Sequence, residues 1–72
     1  MSERGVPAAV LTCSDSAASG LATDTSGPLA ADLLIELGHP VDSVVVVPDD
    51  PSAIQDAVLA AISAGARVVV LT

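Results

Sequence analysis

The chain has 72 residues, nine acidic and two basic, for a formal net charge of −7; 51% of it is hydrophobic and none of it is aromatic. One domain at most fits this length, and the apolar content with a charged fraction of 15% excludes a disordered chain. Arg4 and Arg67 are the whole basic complement, too few to follow a phosphate backbone, and no aromatic ring exists to stack on bases, so no nucleic-acid partner is expected.

A single cysteine, Cys13, excludes an internal disulfide framework and favours a reducing compartment. No apolar run approaches the roughly 20 residues a membrane helix needs. Met1 to Gly5 carries no basic head with an apolar stretch behind it, so no signal peptide is read there. Together these point to the cytoplasm. The core must be built from Val, Leu, Ile and Ala. Conformational entropy of about 1.5 kcal/mol per residue nearly cancels such burial. Residues 1–72 are therefore expected to be part of something larger, unstable or edge-associating when isolated.

The first strand is expected over Val6–Thr12, firmest from Ala8, since Pro7 weakens its start. Cys13 to Thr25 reads as a long connecting loop, well beyond the usual two to six or so residues and rich in Ser, Thr, Gly and Asp. A helix follows over Pro28–Leu37, with Ala30, Leu33, Leu34 and Leu37 as its apolar face. Ser26 or Gly27 is its candidate cap, and Gly38 and Pro40 stop it. Val44–Val47 is the second strand. Pro51 to about Ala64 is the second helix, with Ile54, Val58, Ala61 and Ile62 as its stripe, Asp50 as N-cap and Gly65 as terminator. Val68–Thr72 closes the pattern as the third strand.

The order β-α-β-α-β is the signature of an α/β fold with a parallel sheet. The valine runs do not alternate, which suits strands buried on both faces. Right-handed crossovers put both helices on one face for strand order 1-2-3 and one on each face for 2-1-3, so 2-1-3 is expected.

Ligands of open parallel sheets bind beyond the carboxyl ends of the strands. Those ends are Thr12-Cys13-Ser14-Asp15, Val47-Pro48-Asp49-Asp50 and Thr72. Asp15 and Asp49 are the candidates there. Carboxylates beside a phosphate substrate imply an intervening divalent cation such as Mg2+. Asp50 is foremost a helix cap, and Asp24 either shapes the turn before Ser26 or belongs to the site. Small hydroxyls and amides near Ser26 and Gly27 suit a phosphate at a helix start. Cys13 reads as a small buried thiol, and His39 as a helix-end residue. There is no zinc spacing, no P-loop and no dinucleotide glycine motif.

Ser14-Asp15-Ser16, Gly20 and Asp24-Thr25-Ser26-Gly27-Pro28, continued by Leu29, Leu33, Leu37 and Gly38, make an ordered set. With Val47-Pro48-Asp49-Asp50 and the valine-rich ending at Leu71-Thr72, the chain resembles the N-terminal half of the MoaB/Mog family of molybdenum cofactor biosynthesis proteins. The resemblance implies a three-layer α/β/α fold, a homo-oligomer (trimer or hexamer), molybdopterin as ligand and, in catalytic members, adenylyl transfer from MgATP. It makes Asp49 the candidate catalytic residue, with Mg2+ through Asp49. It places Ser14, Asp15, Asp24, Ser26, Gly27 and Asp50 in the substrate and nucleotide region. The family's Gly-Gly-Thr-Gly loop and its second aspartate segment do not occur in these residues. The chain alone is therefore expected to be inactive, and a non-catalytic pterin-binding or assembly module is the alternative reading.

Overall fold

A computed structural model describes residues 5–72. Its elements are β1 (Ala8–Cys13), α1 (Asp15–Ala18), α2 (Ser26–Glu36), β2 (Val41–Val47), α3 (Pro51–Ser63) and β3 (Val68–Leu71). All strand pairs are parallel, and the order is β2-β1-β3, as the crossover argument requires. β1 is the central strand, and it holds most of the core: Ala8, Val10, Leu11 and Thr12 are buried, joined by Ala31 and Val47.

β2 begins earlier than the valine run suggests. Between the pairs Ala8↔Val41 and Val10↔Val44 it carries one residue more than β1, a bulge across Asp42 and Ser43. From Val44 on, the register is regular to Cys13↔Val47. The bulge lets a polar dipeptide sit in the strand without shifting the valines off their partners.

The two longer helices, α2 and α3, lie against opposite faces of the sheet. Gly27 of α2 packs against Thr12 and Val44. The alternate set, Ala9, Leu11 and Val45, lines a cavity with Ala57, Ala60 and Ala61 of α3.

α2 does not face the sheet with the stripe Ala30, Leu33, Leu34 and Leu37. Gly27 and Ala31 are its buried residues, Leu34 is half-buried, and Leu33 and Leu37 are exposed. The helix has apolar residues on both sides, and the side with glycine and alanine approaches the strands more closely. Leu29, Leu33 and Leu37 are left as an outward row. On α3, Ile54, Val58 and Ala61 are half-buried as expected, but Ile62 is exposed.

The caps follow the local sequence. Asp50 has extended backbone and accepts the Ala53 amide at 3.0 Å, so α3 opens on the expected cap, with Pro51 in its first turn. Gly38 and Gly65 follow the last turns of α2 and α3 with φ of 94° and 109°, where a side chain would be strained. No described helix is long and apolar enough to cross a membrane.

Candidate functional site

Parallel pairing brings the three strand ends to one edge, and backbone bonds tie them together. Ser14 N–H donates to Val47 O at 2.9 Å, and Cys13 N–H donates to Thr72 O at 3.1 Å. The loop after β1 is shorter than expected: β1 runs to Cys13, and Asp15–Ala18 forms the single turn α1. Ser14 caps that turn, its Oγ accepting from Ala17 N–H at 3.2 Å. Ser19–Thr25 is what remains of the connection.

Two side-chain groups stand on this edge. In the first, Asp15 Oδ1 accepts the backbone N–H of Asp49 at 2.9 Å, bridging the loops after β1 and β2. Asp15, Asp49 and Asp50 are all exposed. One oxygen of Asp50 is committed to its helix. Asp49 is held through its backbone, which leaves its carboxylate at the rim.

The second group is centred on Asp24, half-buried before α2. Its Oδ2 accepts from Thr12 Oγ1 at 2.9 Å, and its Oδ1 accepts from Gly27 N–H at 3.0 Å. Thr72 Oγ1 donates to Thr12 Oγ1 at 3.2 Å, and Ser26 Oγ lies 3.1 Å from Thr72 Oγ1. The N-cap of α2 is Thr25, which makes no side-chain cap bond. Neither Ser26 nor Gly27 is the cap, because both already lie inside the helix; Asp24 satisfies the first turn from outside it. The amide of Gly27, expected as a phosphate donor, is thus already taken by a carboxylate, and Pro28 has no N–H to offer.

Gly27 fits this place for a steric reason. A Cβ there would collide with Asp24 Oδ2, Thr12 Oγ1 and Val44 Cγ1. Thr12 and Thr72 were not among the expected site residues. Their signal was the dipeptide Leu-Thr, one residue before the end of β1 and at the end of the β3 segment: a hydroxyl closing an otherwise apolar run. Cys13 is half-buried and His39 Nδ1 lies 3.1 Å from Val6 O, both consistent with packing and helix-end positions.

Among the described residues no group of three His, Cys, Asp or Glu side chains forms a ligand cluster. The cavity of about 460 Å3 beneath α3 lies toward the other edge, between Pro7, Pro40 and the alanines of the helix. Alanine is too short to fill that space, and Asp42 and Ser43 are the polar side chains in an otherwise apolar lining. The carboxyl edge holds the convergent functional groups.

An open parallel sheet with carboxylates and hydroxyls gathered at its carboxyl edge defines an α/β ligand-binding domain. Comparison with known proteins narrows this. Residues 9–72 match the family model described as "Probable molybdopterin binding domain". The chain is also 40% identical over 68 residues to the "Molybdenum cofactor biosynthesis bifunctional protein" of Synechococcus elongatus. The match takes in 94% of this chain and 21% of that protein, so the chain spans about a fifth of its relative's length. The chain belongs to the molybdopterin-binding domain family.

Proposed function

We propose that this chain supplies one part of a molybdopterin site used in molybdenum cofactor biosynthesis, and that the site transfers an adenylyl group from MgATP to the pterin. The observation that carries the reading is the Asp15–Asp49 bridge: a 2.9 Å bond fixing a rim aspartate at the carboxyl edge of a molybdopterin-family sheet. The match to a cofactor biosynthesis protein supports the pathway.

In the reaction the pterin's terminal phosphate attacks the α-phosphorus of ATP. A new P–O bond forms and pyrophosphate leaves. Positioning and charge neutralisation supply most of the rate in such transfers. Magnesium characteristically takes one or two carboxylates and completes its shell with water and phosphate oxygens. A lone, exposed Asp49 carboxylate fits that role better than it fits an all-protein cage. Asp49 would hold Mg2+ supplied with the nucleotide, and the ion would neutralise phosphate charge there. The chain's own contribution is to hold Asp49 through Asp15 and to shape the pterin side through α2. A homo-oligomer, with the outward leucine row of α2 covered by another copy, completes the proposal.

The test is Asp49→Ala in the complete protein, assayed for AMP transfer and for pterin binding. Transfer is expected to fall at least about a hundredfold, typical for loss of a charge-stabilising group, with pterin binding retained. Unchanged turnover sinks the catalytic assignment. Pterin binding by a wild-type protein that transfers no AMP favours the binding-module reading instead.

A further inference from the structure

The cavity beneath α3 takes no part in the carboxyl edge. It opens at the other end of the strands, between Pro7, which precedes β1, and Pro40, which precedes β2. Its walls are the sheet face bearing Ala9, Leu11 and Val45 and the alanines of α3. Its volume of about 460 Å3 lies among those of small-molecule sites, which run from about 300 to 1,000 Å3. An apolar cavity of about 150 Å3 is already enough to take up benzene.

The polar chemistry of the cavity comes from the bulge in β2. In a regular strand Ser43 would share a face with Val45, and Asp42 would fall with Val44 toward α2. The bulge sets two residues of β2 opposite Ala9, and both Asp42 and Ser43 line the cavity. A carboxylate and a hydroxyl therefore stand side by side on an otherwise apolar wall. Asp42 is exposed, so its carboxylate stands at the mouth rather than in the depth. No described residue that lines the cavity is basic, so none of them neutralises Asp42.

We propose that this cavity is a second ligand site, for a primary ammonium carried on a compact apolar body. The body lies between the sheet and the alanines of α3, where its burial removes apolar surface from water. The ammonium lies at the mouth and donates to the Asp42 carboxylate and the Ser43 hydroxyl, with its third hydrogen left to water. Charge sets the class. A phosphate or carboxylate ligand is repelled by Asp42, so the nucleotide and the phosphorylated pterin of the carboxyl edge do not compete for this place. A neutral body gains the apolar contact but not the ion pair. The site stands whether or not the chain takes part in adenylyl transfer.

The test titrates the complete protein with 1-naphthylmethylammonium and with 1-naphthylmethanol, a neutral probe of the same shape, both by calorimetry. The ammonium is expected to bind roughly fivefold more tightly, the value of an ion pair at an exposed carboxylate. Asp42→Asn keeps the size of the side chain and removes its charge. It is expected to bring the two affinities within about twofold of each other. Ala61→Leu fills the cavity from the helix and is expected to weaken both probes at least about tenfold, through the apolar contact they lose. Circular dichroism checks that both variants fold, and Asp42→Asn decides alone should the leucine disturb α3. A wild-type protein that binds neither probe, or both equally, overturns the inference. So does an ammonium preference that survives Asp42→Asn, and so does binding that a folded Ala61→Leu leaves unchanged.

Discussion

The backbone N–H of Asp49 donates to Oδ1 of Asp15 at 2.9 Å, a bond between residues 34 positions apart. It joins the loop after the central strand to the loop after its neighbour, where the β1–β2 ladder has ended at Cys13↔Val47. With Ser14 N–H on Val47 O at 2.9 Å, it continues the pairing of β1 and β2 past the sheet. A carboxylate thus does what another ladder bond would do, and the Asp49 side chain is left exposed at the rim.

Replacing Asp15 separates acceptor from charge. Asp15→Asn retains an oxygen that can accept the Asp49 amide, whereas Asp15→Ala leaves that amide to water. The bond is exposed, so its loss is expected to cost only about 0.5–1.5 kcal/mol of stability. The larger expected effect is on geometry: a loop free to move about an ångström weakens a positioned transfer by up to about a hundredfold. AMP transfer assays on both variants check this. The asparagine is expected to keep more activity than the alanine, and equal losses would assign the role to charge.

Asp50 serves α3. Asp50→Ala is expected to destabilise the protein by about 1 kcal/mol, the usual cost of losing an N-cap, read as a lower urea midpoint with an unchanged slope. Asp50→Ser restores the cap without the carboxylate, and its midpoint is expected to return to near wild type. If ATP affinity also returns in the serine variant, Asp50 acts only on the helix. If it does not, the carboxylate belongs to the nucleotide site as well.

Gly27→Ala tests how tightly α2 is seated. The added methyl meets two oxygens and a valine methyl that already pack against the helix. Overpacking of this kind typically costs about 1–3 kcal/mol, and here it also forces Asp24 off the helix start or off Thr12. Equilibrium denaturation measures it. The expected loss exceeds that of Gly20→Ala, where φ is 84° but nothing lies within 4 Å of the added atom.

These cases show what could be read from the residues and what could not. The strand positions of the valine runs, the crossover order and the Asp50 cap rest on local pattern or on chirality, so they carried over into three dimensions; burial on both faces did not, since β2 and β3 are edge strands and Val45, Val68 and Leu71 are exposed. The turn Asp15–Ala18 was missed because four residues show no helical period. The facing of α2 was missed because it has apolar residues on two sides, and periodicity cannot say which one the sheet accepts. Gly27 and Ala31 decided it by allowing close approach. The Asp24–Thr12 bond joins residues on opposite ends of a connection, and only the packed helix brings them together. The aspartates at the strand ends were readable because parallel topology alone places them on one edge.

The outward face of α2 bears on assembly. Leu29, Leu33 and Leu37 are 61%, 55% and 75% exposed, one helical turn apart, on the side of α2 away from its buried Gly27 and Ala31. A contiguous apolar row is a costly surface to leave in water, and covering it by a second copy would stabilise an assembly. Leu33 is the middle of the row and more than half exposed, so Leu33→Lys is expected to leave the fold intact. Sedimentation velocity on the wild-type protein is expected to show an oligomer, and the lysine variant is expected to move to a smaller species. Circular dichroism of the two should coincide. An unchanged sedimentation coefficient in the variant would mean that the leucine row lies outside the contact.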